Sequence, residues 1–192
     1  MKNVITGLML VTLAMPVFAG DLSYNYAELG YQRVELDDVF PGTDVDGDGF
    51  GVNGSFEIGE SWYINAGYSK VDFDFDIDMD QASLGVGYHV AYSPRSDFFA
   101  EVAYVYADLS VSGFGSTDED GYGVTVGVRG MVTDVVELVG KASYVDLGEA
   151  DGSSFGVGAL YSASDMIAIG LFADFDEDAT AYGLGVRFYF GH

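Results

Sequence analysis

No cysteine occurs among the 192 residues, so neither a disulfide framework nor a thiolate metal centre can hold this chain. Three prolines leave few interruptions to extended backbone. Lys and Arg number only seven against 31 Asp and Glu, and the formal charge of −24 excludes the basic surface that nucleic acid requires. The two histidines, His89 and His192, are thin material for general-base chemistry, and neither falls near the acidic segments, so no enzyme and no cofactor are expected. Beyond the first nineteen residues no apolar run approaches the roughly 20 needed for a spanning helix.

Those first residues read as a processing segment. Lys2 supplies the charged start, residues 4–15 the apolar run, and Val17-Phe18-Ala19 a small-residue cleavage pattern before Gly20. The expected organisation is a cleaved signal peptide over 1–19 and one domain over 20–192, with six basic and 31 acidic residues, or −25.

What the chain has in quantity is Gly (27), Tyr (14) and Phe (14). From Tyr24 to Phe190 apolar or aromatic side chains recur at every second position, clearest where Tyr182, Leu184, Val186, Phe188 and Phe190 alternate with Gly183, Gly185, Arg187 and Tyr189. Period two is a strand with two unlike faces. A soluble sandwich would place Lys and Glu on the second face, yet here it carries Gly51, Asn53 and Ser55, then Asn65, Gly67 and Ser69, then Ser83, Gly85 and Gly87. Small neutral groups suit the confined inside of a barrel and the aromatic-rich face suits lipid. The reading is all-β: a single closed antiparallel up-and-down transmembrane β-barrel in the outer membrane, where closure leaves no backbone edge in hydrocarbon.

Ten strands are expected, over 22–35, 49–58, 62–75, 81–90, 98–111, 121–131, 136–146, 153–162, 166–175 and 181–190; eight remain if 136–146 and 153–162 do not span. The connections over 37–48, 76–80, 112–120, 147–152 and 176–180, with the adjoining strand ends, hold 22 of the 31 acids and are read as outer loops. The other connections are short and nearly uncharged, as periplasmic turns are. Strand parity turns Trp62, Ile64, Ala66 and Tyr68, and likewise Phe98, Ala100, Val102 and Tyr104, toward lipid. Trp62, Tyr88 and Phe98 fall where an aromatic girdle belongs.

The closing segment Gly185-Val186-Arg187-Phe188-Tyr189-Phe190 resembles the assembly signal that ends Gram-negative outer-membrane barrels, with Gly185, Phe188 and Phe190 as its marks. Together with the alternation, the chain resembles the family of small barrels that includes OmpX and the transmembrane domain of OmpA. It departs at Gly183, where a polar residue is usual, and in Gly191-His192 beyond the last aromatic. The segment Leu22-Ser23-Tyr24-Asn25-Tyr26 before an Asp-Gly-rich stretch is also similar to small barrels catalogued as vesicle-borne or diffusible signals. The resemblance implies insertion by the outer-membrane assembly machinery and fixes no task.

Inward parity collects Glu28, Glu57, Glu101, Arg129, Glu137, Lys141 and Arg187 as a lumen ion-pair network. Arg129 is expected near Glu101 and Glu137, Lys141 a little above, and Arg187 facing Glu28 across the closing seam. Pairing is the expected answer to the cost of buried charge. Above these pairs the Gly-rich lining suggests a shallow vestibule, with Phe73 and Phe75 at its mouth if the register of Trp62 runs on. Asp44-Val45-Asp46-Gly47-Asp48-Gly49 resembles the start of an EF-hand, but Ser55 stands where a bidentate Glu belongs, so only weak divalent binding by Asp44, Asp46 and Asp48 survives. Bound cations could bridge to lipopolysaccharide, whose phosphates Arg33 and Lys70 could also reach. The expected function is a non-enzymatic, monomeric outer-membrane barrel for envelope integrity, surface interaction or sensing. The alternatives are a narrow cation-preferring pore and a secreted soluble barrel for a small apolar ligand.

Overall fold

The computed structural model describes residues 22–40, 43–113, 115–148 and 150–191, without the side chains of 37–40, 43 and 44. The expected signal peptide over 1–19, Glu149, His192 and the side chains of Asp37, Asp38 and Asp44 lie outside the described residues. Ten strands follow one another: β1 (Tyr26–Phe40), β2 (Thr43–Glu57), β3 (Trp62–Phe73), β4 (Ile77–Ser93), β5 (Ser96–Val111), β6 (Gly115–Met131), β7 (Val136–Leu147), β8 (Ala150–Ser164), β9 (Ile167–Phe175) and β10 (Ala179–Tyr189). Each pairs antiparallel with the next, and β10 returns to β1 from Tyr26↔Tyr189 to Leu36↔Ala179, so the sheet closes without an edge. The strands 136–146 and 153–162, whose spanning decided between eight and ten, are full members as β7 and β8.

Strand β3 shows why these residues make this wall. In its lower part Trp62, Ile64, Ala66 and Tyr68 face out and are exposed, while Tyr63, Asn65, Gly67 and Ser69 face in. Then the polarity exchanges sides without a change of register: Lys70 and Asp72 face out, and Val71 and Phe73 are buried inside. Only the surroundings differ. Lipid takes apolar groups on the outside of the lower wall, and water takes carboxylates on the outside of the upper wall, where the inside becomes an ordinary apolar core.

That exchange corrects the expected outer loops. The acidic segments are mostly strand, since β1 runs on to Phe40, β2 begins at Thr43, β4 at Ile77, β6 at Gly115 and β8 at Ala150. Their acids alternate with apolar residues, as Asp78 and Asp80 do with Ile77 and Met79, and such a pattern completes a half-buried sheet instead of ending one. The β3–β4 hairpin turns at Asp74, Phe75 and Asp76, with Phe75 and Asp76 in the left-handed region at φ 66° and 55°. At the opposite end the first strand starts later than expected, at Tyr26, and residues 22–25 lead into the barrel mouth.

Candidate functional site

The lumen is built in three layers. At the end where β1 begins and β10 finishes, Tyr24 folds inward and stacks on Tyr63 at 4.4 Å and on His89 at 4.1 Å. Its hydroxyl donates to Asp97 Oδ2 at 3.4 Å, and the same oxygen lies 3.2 Å from His89 Nδ1. The Arg129 guanidinium sits 4.5 Å from the Tyr24 ring centre and donates from Nε to Glu137 Oε1 at 3.1 Å. Across the seam Arg187 Nε donates to Glu28 Oε2 at 2.7 Å, with its guanidinium 3.9 Å over Tyr26. Lys141 Nζ reaches Asp174 Oδ1 at 2.8 Å.

Sequence parity therefore brings Glu28 to Arg187 and Arg129 to Glu137. Two placements differ from expectation. Glu101 pairs in the ladder with Thr125, whereas Arg129 lies opposite Asp97, so the acid beside Arg129 on β5 is Asp97 and Glu101 stands four residues higher. Glu57 sits at the rim and accepts from Asn25 Nδ2 at 2.7 Å, outside the cluster of ion pairs. Asp97 escapes the sequence reading because the expected fifth strand, 98–111, starts two residues after β5 does at Ser96. Asp174 had a usable signal, because Ile167, Ile169 and Leu171 face out and place it inward with Ala168, Gly170 and Phe172.

Above this floor lies a cavity of about 100 Å³, bordered by Asn53, Asn65, Ser83, Glu101 and Thr125 with Tyr63 beneath. Small residues keep it open. A Cβ on Gly67 would stand 2.5 Å from Asn53 Oδ1 and 3.0 Å from Ser83 Oγ, and one on Gly85 would stand 2.5 Å from Asn65 Oδ1. Tyr63 donates to Glu101 Oε1 at 2.8 Å.

The third layer closes the outer end. Val34, Leu36, Val45, Val71, Phe73 and Met79 belong to one buried apolar cluster, joined from the far wall by Val105, Val145, Leu147 and Ala181. The expected vestibule is thus filled. Phe73 takes part in that filling, but Phe75 lies exposed on the turn. Dispersion and burial hold these apolar side chains together at the outer end of the lumen.

Outside, the change of polarity is marked by tyrosines tied to acids: Tyr31 donates to Asp48, Tyr68 to Asp80, Tyr122 to Asp146 and Tyr182 to Glu35. The two cations of this collar are both occupied. Arg33 is held by Glu35, Asp46 and Asp48, and Lys70 by Asp72, Asp78 and Asp80. Asp46 and Asp48 therefore lie on β2 as partners of Arg33, not in a calcium loop, and no group of metal-ligating side chains is found among the described residues. In the closing segment Phe188 and Phe190 face outward, and Gly185 packs between Gly30 and Gly170 in the ladder.

Residues 5–162 match the family described as outer membrane protein beta-barrel domain. No curated protein matches the sequence. Among solved structures the chain is similar to the translocator domain of the autotransporter NalP from Neisseria meningitidis, at 11% identity and TM-score 0.50 over 88% of this chain and 89% of that one. It is also similar to the KdgM porin, at 12% identity and TM-score 0.49 over 85% and 99%. A third likeness is to Ail, the attachment invasion locus protein of Yersinia pestis, at 12% identity and TM-score 0.45 over 88% and 100%. Identities this low speak to the fold alone. With the family match covering most of the sequence and an apolar band around a closed ten-stranded wall, the chain belongs to the outer-membrane β-barrel family and resides in the outer membrane.

Proposed function

We propose that this protein is a non-enzymatic, non-conducting barrel that displays an acidic collar above the bilayer and serves envelope integrity or surface interaction. The observation that carries the reading is the double closure of the lumen, by buried ion pairs at one end and by the apolar cluster at the other. A cation-preferring pore needs a polar path, and the cluster around Phe73 and Met79 offers none. The argument against catalysis is local: His89 is built into the floor against Tyr24 and Asp97. The exposed aromatic band speaks against a secreted soluble barrel.

Partners follow from the collar and the wall. Lipid contacts the apolar band, and the outer-membrane assembly machinery reads the closing strand. In the ladder Asp48, Asp72 and Asp78 stand side by side, as do Asp80, Asp108 and Asp118, and such rows of like charge are relieved by divalent cations shared with lipopolysaccharide phosphates. Arg33 and Lys70, each held by three carboxylates, are poor direct phosphate ligands.

The test is conductance of the purified full chain in a planar bilayer. Silence in potassium chloride is the expected result, and reproducible cation-selective steps would overturn the reading. A second measurement addresses the collar: chelation of divalent ions during purification should reduce the lipopolysaccharide that accompanies the protein.

A further inference from the structure

The buried ion pairs and the mid-barrel cavity divide the lumen between them. Toward β9, β10 and β1 the space is taken by Asp174 with Lys141 and by Arg187 with Glu28. The cavity lies toward the other side, against Asn53 of β2, Asn65 of β3, Ser83 of β4, Glu101 of β5 and Thr125 of β6, with Val139 of β7 at its edge. Tyr24 borders the cavity from below. It meets inward side chains near the lower ends of four successive strands, namely Tyr63, His89, Asp97 and Arg129. The residue is only 3% exposed, yet it belongs to none of the ten strands. The ladders of β1 with β2 and with β10 both begin at Tyr26, so Leu22, Ser23 and Tyr24 lie outside the sheet.

We infer that residues 22–24 are a detachable stopper hinged at Asn25: the Tyr24 ring swings out of the floor while the sheet stays closed, and the mid-barrel cavity then opens to water at the end opposite the collar. Three observations carry it. The segment leaves without breaking a ladder hydrogen bond, and chain outside the ladder opens locally at lower free energy than the sheet that it borders. The pivot is fixed to the wall, because Asn25 donates to Glu57 Oε2 at 2.7 Å, its Oδ1 accepts from the Glu57 amide at 2.9 Å, and its carbonyl accepts from the Phe190 amide at 3.2 Å. The place that the ring leaves suits water: His89 Nε2 is buried there without a partner, Asp97 recovers a hydrogen-bond donor from solvent, and Arg129 keeps its carboxylate on Glu137. The ring itself is held by stacking, by the guanidinium on its face and by a long hydrogen bond of 3.4 Å to Asp97. Opening reaches the cavity and calls for no path through the outer cluster, so the stopper stands or falls apart from the conductance test.

A chain without cysteine makes the test direct. Ser83→Cys puts a thiol in the cavity wall, and its rate of modification by aminoethyl methanethiosulfonate in detergent micelles reads the access of water. Tyr24→Ala in that background should speed modification about 100-fold, the combined weight of the stack and the cation–π contact. Tyr24→Phe, which keeps the ring and loses only the bond to Asp97, should speed it by roughly tenfold or less. Equal rates with and without the ring overturn the stopper. So does a rate raised as much by Phe73→Ala, since the reagent would then arrive through the outer cluster. A second measurement needs no variant. Tyr24 and Tyr189 are equally buried at the floor, 3% and 2% exposed, but only Tyr189 is carried by a strand. Acetylation of the unsubstituted chain by N-acetylimidazole, located by mass spectrometry, should reach Tyr24 at least about tenfold faster than Tyr189. Equal protection of the two rings would mean that Tyr24 moves only with the whole sheet and would sink the proposal, even if Tyr24→Ala does not fold.

Discussion

Arg187 on the last strand and Glu28 on the first are joined at 2.7 Å across the seam that closes the sheet, in the same register that pairs their backbones. The pair is fully buried, so its worth lies in mutual compensation more than in net stabilisation. Glu28→Ala should therefore cost about 3–5 kcal/mol by stranding the guanidinium. The double change Glu28→Leu with Arg187→Met should recover most of that loss. Urea unfolding in detergent micelles measures both, and a double variant as weak as the single one would contradict compensation.

The outer core makes a different demand, for volume. Phe73 is buried among Val71, Ile77 and Met79 above the bilayer, so Phe73→Ala opens a cavity and should cost about 3–5 kcal/mol. The loss should appear first as protease sensitivity of the upper hairpins, with the lipid-embedded wall still intact. Cleavage mapped by mass spectrometry distinguishes that local loosening from global unfolding.

Most of the wall was legible in the residues, because period two is a direct consequence of the pleat and only the lipid-facing band could be so rich in rings. The face of Trp62, Val102 and Leu171 follows from it, whereas the choice of ten strands over eight waited on 136–146 and 153–162 spanning as β7 and β8. The upper third was harder. Acids at Asp72, Asp78 and Asp80 look like loop composition until their apolar partners are counted on the opposite face, and a change of solvent, not of backbone, lies behind the switch. In the lumen, parity placed residues on the right face but not at the right height: Glu101 was assigned to Arg129 because a shift of four residues along a tilted strand is invisible without the register. Tyr24 shares the inward parity of Glu28 within the expected strand 22–35, but only charged side chains mark the lumen network in the sequence, so its stacking in the floor was not legible there.

Height along the wall gives the next expectation. Val102 and Ser110 both face outward on β5, one in the apolar band and one beside Asp108 above it. Val102→Arg should cost about 2–4 kcal/mol, as a cation near the bilayer midplane does, whereas Ser110→Arg should change stability by under about 0.5 kcal/mol. Refolding into phosphatidylcholine vesicles at graded urea reads the difference. Equal penalties at both positions would mean that the bilayer boundary is misplaced relative to the tyrosine ring.

Acidity should strengthen the collar. Asp176, in the turn between β9 and β10, accepts from the Asp178 amide at 3.3 Å while its other oxygen is buried without a partner, and burial pushes its pKa above the usual aspartate range. Asp78 is also pushed up, first by its hydrogen bond with Asp72. For both acids the folded state binds the proton more tightly than the unfolded chain. Unfolding free energy consequently falls as pH rises from the ordinary aspartate range through the raised folded values, and it is regained on acidification over that window. The unfolding midpoint should thus climb as the medium is taken from neutral toward the upper end of aspartate titration. Asp176→Asn, which keeps an oxygen for the Asp178 amide, should raise stability at neutral pH and flatten the slope. A midpoint that drops over the same span, or an unchanged slope in Asp176→Asn, would show that these two carboxylates do not govern the outer end.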